Sequence, residues 1–189
     1  YHFTNRYKGD VYYPAVFQSL MLSSQSKRSW PRHNGSVMGL AYISDSDNRI
    51  MTVSSYGEIM VHNKRGDQLD SKVLFSDKNF DFRDIYIDQD ATSYAVCREG
   101  HLVIIEKGVA TVKNVLTLPH PLAITALDDD NLLIIGEQGL ALYNKQQRMI
   151  KETRELNFRI TAFNRYNYEP VLFDNKGRQH IVKSIHEPE

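Results

Sequence analysis

The chain has 189 residues and a mass of 21.9 kDa, and 41% of its residues are hydrophobic, enough to bury one sizeable core, so disorder as the main state is excluded. Lys and Arg number 23, as do Asp and Glu, so the zero formal net charge argues against broad binding to a phosphate backbone. Cys97 is the only cysteine, which excludes a disulfide framework or a cysteine-rich zinc site. No apolar run approaches the roughly 18 residues of a membrane helix. We expect a soluble segment without membrane insertion, cut from a longer or processed chain.

Short strands separated by polar turns recur along the chain in four similar copies. The first copy predicts strands over 37–43, 50–53, 59–61 and 69–75. The second predicts 82–87, 94–96, 102–105 and 111–118, and the third predicts 124–127, 132–135, 140–143 and 149–155. The fourth predicts three strands, over 160–163, 171–173 and 180–185. These runs are rich in Ile, Val, Leu and Tyr and end at turn residues, as expected for strands covered on both faces.

A glycine recurs at the second turn of every copy. The four are Gly57, Gly100, Gly139 and Gly177, and the intervals between them are 43, 39 and 38 residues. Glycine supplies the positive φ that a tight hairpin requires, so we expect this conformation at each position. Four short strands repeated at this interval are typical of the blades of a β-propeller. The sequence therefore predicts an all-β protein, a β-propeller of four-stranded antiparallel blades.

The repeat divides the chain into a partial N-terminal blade with its connecting loop, over 1–34, and four consecutive blades. The predicted blades span 35–78, 79–119, 120–156 and 157–189. About four to five blades are then present. Because an open terminal blade exposes an edge strand, we favour membership of a larger ring over a five-bladed ring closed by its own ends. The one helical alternative, over 145–156, is disfavoured because its residues are charged nearly all round.

Two stretches of the first copy, HNGSVMGLAY at 33–42 and IMTVSSYGEIMV at 50–61, resemble the WD-repeat family. In that family a His before the inner strand, a Ser or Thr ending the second strand, an Asp in the next turn and a Trp on the third strand form a structural hydrogen-bond network. The resemblance assigns the first two roles to His33 and Ser54. It fails at Tyr56, where the family has Asp, and at His62-Asn63, where it has Trp-Asp. It implies a propeller, and the other three copies keep only the turn glycine and the strand pattern.

Three patterns contain residues that are capable of chemistry in principle, but we predict no catalytic residue, no metal and no cofactor from them. Cys97 and His101 flank a turn and form a thiolate–imidazole pair in principle, but two packed strand ends are the favoured interpretation. The run 128–130, three aspartates, lacks the ligand alternation and glycine of a calcium loop, so we interpret it as a solvated turn. The seven histidines never occur at i, i+2 or i, i+4, so nothing indicates a zinc site.

The most unusual composition lies just before the first full copy, in KRSWPRH at 27–33. Trp30 stands there between Arg28 and Arg32, in an N-terminal segment rich in cations. Trp and Arg dominate binding hot spots, so we predict that these three side chains contact a partner.

Two further arginines, Arg83 and Arg159, lie at or beside the starts of predicted inner strands. That is the opening of a propeller's central channel, where ligands commonly bind, so both are candidate partner contacts. Ion pairing with Asp81 or Asp84 is the favoured alternative.

The sequence thus predicts a non-catalytic scaffold for protein–protein interaction, its partners being other proteins or other domains of a parent chain. One alternative is a propeller that binds or processes an anionic small molecule at the channel mouth, near Arg83, Thr125 and Arg159. A second is an RNA contact through the positive N-terminal edge within a ribonucleoprotein, although neutral overall charge makes nucleic acid a minor hypothesis. The partner stays open, and an intracellular soluble location is favoured.

Overall fold

A computed structural model describes residues 33–44, 49–65, 68–113, 118–166 and 169–187. These residues form fifteen strands in four antiparallel sheets. Within the described ranges there is no helix that could cross a membrane. The predicted partial blade lies outside the described residues, apart from His33 and Asn34.

Each sheet is one blade, and its strands pair in chain order. Blade 1 contains β1 (Val37–Ser44), β2 (Arg49–Ser54), β3 (Glu58–Arg65) and β4 (Gln68–Ser76). Blade 2 contains β5 (Phe82–Ile87), β6 (Ser93–Cys97), β7 (Leu102–Glu106) and β8 (Val109–Lys113). Blade 3 contains β9 (Pro121–Ala126), β10 (Asn131–Gly136), β11 (Gly139–Asn144) and β12 (Met149–Glu155). Blade 4 contains β13 (Ile160–Tyr166), β14 (Glu169–Asp174) and β15 (Gln179–Ile181).

The predicted all-β propeller is confirmed, although most strands differ by a few residues from their predicted extents, and β8 and β15 show why. β8 begins at Val109 because Lys107 and Gly108 both take positive φ, 48° and 79°, which closes a two-residue hairpin. β15 ends at Ile181, before the predicted end at 185, and the chain then bends so that Val182 and Ile185 pack into the core. The stretch 145–156, for which a helix was the disfavoured alternative, contains the outer strand β12.

Apolar side chains form three core clusters, one at each junction between consecutive blades. The alternation along β10 shows how one strand serves two junctions. Leu132 and Ile134 pack toward blade 2, whereas Leu133 and Ile135 pack toward blade 4, and all four are fully buried. Burying each such side chain stabilises the folded state by about 1.5–3 kcal/mol relative to leaving it exposed to water. The blades are therefore held together face to face by the strand residues predicted to be covered on both sides.

Glycine recurs at the second turn of the blades for two different physical reasons. Gly57, Gly100 and Gly177 take positive φ, as expected. The expectation is wrong for Gly139, which does not adopt a positive φ. A Cβ there would lie 3.0 Å from the Arg154 carbonyl oxygen and 3.0 Å from Leu118 Cδ2, so close packing by the neighbouring strand and loop favours glycine.

Candidate functional site

The turn between the second and third strands of a blade is hydrogen-bonded to the start of an inner strand. The amide of Ser55 donates to the Ser36 carbonyl at 2.9 Å, and that of Arg98 donates to the Asp81 carbonyl at 2.8 Å. In blade 4, the Asn175 amide donates to the Arg159 carbonyl at 3.0 Å. These contacts gather one end of the blades into a surface that we call the turn face. It contains the second turns 55–57, 98–100, 137–138 and 175–177 and the residues that begin the inner strands.

Arg83 and Arg159 both lie on the turn face, and both are ion-paired. The Arg83 guanidinium lies 2.5 Å from Asp81 Oδ2, which is one of the two pairings considered from the sequence. Arg159 lies 2.8 Å from Glu137, on the turn of blade 3, rather than near Asp81 or Asp84. Its side chain is 59% exposed. The pair thus connects two blades and still presents a guanidinium to solvent.

A third arginine on this face was missed in the sequence. Arg178 Nε donates to Asp174 Oδ2 at 2.7 Å, and its side chain is also 59% exposed. Burial raises the pKa of Asp174, but hydrogen bonds from the Arg178 amide and guanidinium, the His180 ring and the Lys176 amide together hold that pKa well below its usual range. Asp174 is therefore a fixed anion that orients Arg178.

The first blade carries a chain of polar side chains that only partly follows the predicted network. His33 Nε2 lies 2.6 Å from Thr52 Oγ1, and Thr52 Oγ1 lies 2.7 Å from His62 Nε2. His62 Nδ1 lies 2.7 Å from Ser71 Oγ. At the other end, His33 Nδ1 lies 3.2 Å from the Glu58 carboxylate. The hydroxyl that joins the rings is thus Thr52, not Ser54, and His62 stands where the family has Trp.

The carboxylate that is absent at Tyr56 is supplied by Glu58. Its oxygens accept hydrogen bonds from the Asn34 amide at 2.8 Å and the Asn34 side chain at 2.5 Å. Burial raises the Glu58 pKa, but the bonds from Asn34 and His33 outweigh it, and the pKa lies below its ordinary value. When the neutral His33 ring donates its Nδ1–H to the ionised Glu58 carboxylate, its Nε2 accepts a hydrogen bond from the Thr52 hydroxyl.

Donor and acceptor roles then propagate along the chain. Because Thr52 donates to His33, its oxygen accepts from His62 Nε2, and His62 Nδ1 accepts from Ser71. This arrangement requires a neutral His62. Burial, with the nearby His33 ring as a smaller cause, lowers the pKa of His62 to about 4, so neutrality is assured at pH 7.

Ser54 has a different task, which is to cap the second turn. Its Oγ accepts from the amides of Tyr56 and Glu58, both at 3.3 Å. Asp174 repeats the pattern in blade 4, where Oδ1 accepts from the amides of Lys176 and Arg178 at 2.8 Å. The same spacing, two and four residues on, identifies equivalent turn caps in these blades.

The structure does not form the thiolate–imidazole pair considered for Cys97 and His101. Cys97 Sγ donates to the His101 carbonyl oxygen at 3.3 Å, and burial raises the pKa of Cys97 to about 12. The His101 ring packs against Phe80, with centroids 5.1 Å apart. Cys97 is therefore a buried thiol, and a thiol is a poor nucleophile.

The three aspartates at 128–130 form a hydrogen-bonded turn. Asp128 Oδ1 accepts from the amides of Asp130 at 2.9 Å and Asn131 at 2.8 Å. Across the described ranges, no group of three or more His, Cys, Asp or Glu side chains is placed to hold a metal.

Three of the remaining predicted partner contacts, Arg28, Trp30 and Arg32, lie in the part of the chain that the structure does not describe. Thr125 on β9 pairs with Leu133 on β10 and is only 2% exposed, whereas Arg83 and Arg159 lie near strand starts.

No protein-family model and no curated protein matches the chain. Solved structures do match. The WD40 β-propeller domain of Doa1 superposes with a TM-score of 0.65 at 17% identity, covering 79% of this chain and 51% of that one. YCF48 bound to D1 peptide gives 0.61 at 14% identity, covering 85% and 54%. The computationally designed Ika4 protein gives 0.59 at 15% identity, covering 81% and 94%.

At these identities the likeness shows the fold alone, a β-propeller. The chain spans about half the length of the Doa1 and YCF48 chains that it matches.

Proposed function

We propose that this chain is a non-catalytic β-propeller scaffold that binds a protein partner through its turn face. The observation that carries the proposal is the pair of exposed but fixed arginines in blade 4, Arg159 and Arg178, each held by a carboxylate. Arginine is enriched among interface hot spots. A side chain already held in place loses less conformational entropy when a partner binds.

The turn of blade 4 brings these two arginines to one region. The Asn175 amide donates to the Arg159 carbonyl, and Arg178 follows that turn directly. Arg83 extends the surface to blade 2, although its ion pair is less exposed. One structural neighbour, YCF48, is described as bound to a peptide, which supports peptide recognition as a use of this fold. That support is an analogy of fold, so the site itself requires a test.

The test compares charge reversals at the two ends of the blades. Arg159→Glu combined with Arg178→Glu changes the turn face. Arg148→Glu is the matched control, because Arg148 also pairs with a carboxylate, Glu106, at 2.6 Å and is 49% exposed, but it follows the third turn of blade 3. The third turn lies at the opposite end, since the Lys145 amide bonds to the Asp130 carbonyl of the first turn.

Affinity-tagged full chains would be purified from their native cells, with thermal melting to confirm folding. We expect the partner recovered with the natural chain to be lost from the double variant and kept by Arg148→Glu. Equal recovery by all three chains would refute the turn face as the binding surface. Loss only from Arg148→Glu would place binding at the opposite end.

A further inference from the structure

The inner strand of blade 2 carries an acid where the other blades carry glycine or alanine. In every blade the pairing of the inner strand with the second strand skips one residue near the start of the inner strand. The residues that follow the skipped position are Gly39, Asp84, Ala123 and Ala162, which pair with Val53, Val96, Ile135 and Phe173. Asp84 is therefore a polar residue at a structurally equivalent position that is otherwise occupied by small residues.

The Asp84 carboxylate joins two blades directly. Oδ2 accepts a hydrogen bond from the Ile124 amide on β9 at 3.0 Å, and Oδ1 accepts from the Ile85 amide on β5 at 2.9 Å. β9 is the last strand of its sheet, so the edge of β9 that faces away from β10 has no strand partner in that sheet. An unpaired buried amide is costly, and Asp84 satisfies one on a neighbouring blade.

The first blade closes on the same residue from the other side. A Cβ placed on Gly39 would lie 3.0 Å from Asp84 Cα and 3.1 Å from Asp84 Oδ1. Glycine at position 39 thus lets β1 approach the backbone and carboxylate of Asp84 closely. The inner strands of three consecutive blades meet at this side chain.

We propose that Asp84 is an inter-blade clasp, which ties the inner strand of blade 3 to that of blade 2, and that its ionisation lowers the stability of the folded chain. The hydrogen bonds supply the tie. The cost of ionisation arises because the carboxylate is partly withdrawn from water, and no cation among the described residues forms an ion pair with it.

The strands packed around β5 bring few charges to Asp84. Their titratable side chains are Tyr42 on β1, Arg49 on β2, and Tyr94 and Cys97 on β6, and β9 has none. β5 itself contributes Arg83 and Tyr86, and Arg83 is engaged by Asp81.

Burial raises the pKa of Asp84 to about 6, although the amides of Ile124 and Ile85 act in the opposite direction. A carboxyl whose pKa is raised by folding stabilises the fold most when it is protonated, and this contribution is lost as pH rises through the folded pKa. From an unfolded pKa near 3.9, this linkage predicts that Asp84 by itself contributes an approximately tenfold rise in the unfolding equilibrium constant between pH 5 and 7.5, measured as the change in the ratio of the constants of the natural chain and Asp84→Asn.

The experiment measures the backbone amides of Ile124 and Ile85 by ¹H–¹⁵N spectroscopy of the full chain between pH 4.5 and 7.5. We expect both signals to titrate together with a midpoint near 6, because both amides donate to the same carboxylate. Asp84→Asn keeps the shape and removes the titration, and denaturant unfolding of that variant should lose the tenfold change. Asp129→Asn, in an exposed turn, is the matched control and should retain both behaviours.

Flat Ile124 and Ile85 signals in the natural chain would overturn the proposal. So would an unfolding constant whose pH dependence is the same in Asp84→Asn as in the natural chain. If Asp84→Asn fails to fold, the amide titration of the natural chain decides the question alone.

Discussion

Nε2 of His62 lies 2.7 Å from the hydroxyl oxygen of Thr52, and both side chains are buried. Because the same hydroxyl lies 2.6 Å from His33 Nε2, one oxygen satisfies two imidazole rings on different strands and loops. The polar chain of blade 1 therefore depends on a single hydroxyl.

Removing the Thr52 hydroxyl should lower the free energy of unfolding by more than the size of the group suggests. Thr52→Val preserves shape but leaves two buried ring nitrogens without a partner, and each unsatisfied group costs about 1–3 kcal/mol. Thr52→Ser keeps the hydroxyl and is the control, expected to lose much less. Urea denaturation of both variants measures the difference. Equal losses for Val and Ser would show that the methyl group, rather than the hydroxyl, matters.

His62 should make the protein sensitive to mild acid. Its folded pKa of about 4 lies below its ordinary value of 6.5, so the unfolded chain binds the proton first as the pH falls. Its stabilising contribution is full above pH 6.5 and is lost as pH falls toward 4. His62→Trp, which retains a ring N–H for Thr52, should flatten this acid limb in a pH series of unfolding free energies. His186→Ala, at a histidine that is 73% exposed, should leave the acid-side fall in unfolding free energy unchanged. If that variant also reduced the fall, His62 would not be its main cause.

The turn glycines should differ in their tolerance of alanine. Gly177 takes a φ of 77° but a Cβ there meets open space, so Gly177→Ala should cost only the backbone term of about 1–2 kcal/mol. Gly57 takes a similar φ of 74°, and its Cβ would also overlap the Asp77 carbonyl oxygen. Thermal melting should therefore show a clearly larger loss for Gly57→Ala. Similar melting temperatures for the two variants would mean that the loop at Asp77 moves at little cost to accommodate the new methyl group.

The Cys97 thiol should be inert in the folded chain. Burial raises its pKa to about 12, so almost no thiolate exists at pH 8. A thiol-reactive dye should label the native protein only at the rate of unfolding and label the denatured protein at once. Rapid stoichiometric labelling of the native chain would contradict this burial.

Much of the fold could be predicted because strands and turn glycines repeat at a readable interval. The role of Thr52 could not, since the family pattern pointed to the end of β2, and only the observed pairing shows which hydroxyl faces the two rings. Gly139 fits the repeat because Arg154 and Leu118, which are distant in sequence, pack closely against it, and not because of a positive φ. The sequence gives one weak indication of the role of Asp84, which is a charged residue within a predicted inner strand. That role could not be predicted further, because it depends on which residue is skipped when the strands of each blade pair, and the sequence does not show the register.

The most direct test of the proposed scaffold role is lysine cross-linking of the chain to its co-purified partner, followed by mass spectrometry. Lys78 and Lys176 are exposed on the turn face, since the Asp77 amide bonds to Gly57 and Lys176 lies in the second turn of blade 4. Lys107 and Lys145 belong to the turns at the opposite end. The account predicts partner peptides linked to Lys78 and Lys176. Links confined to Lys107 and Lys145 would contradict it.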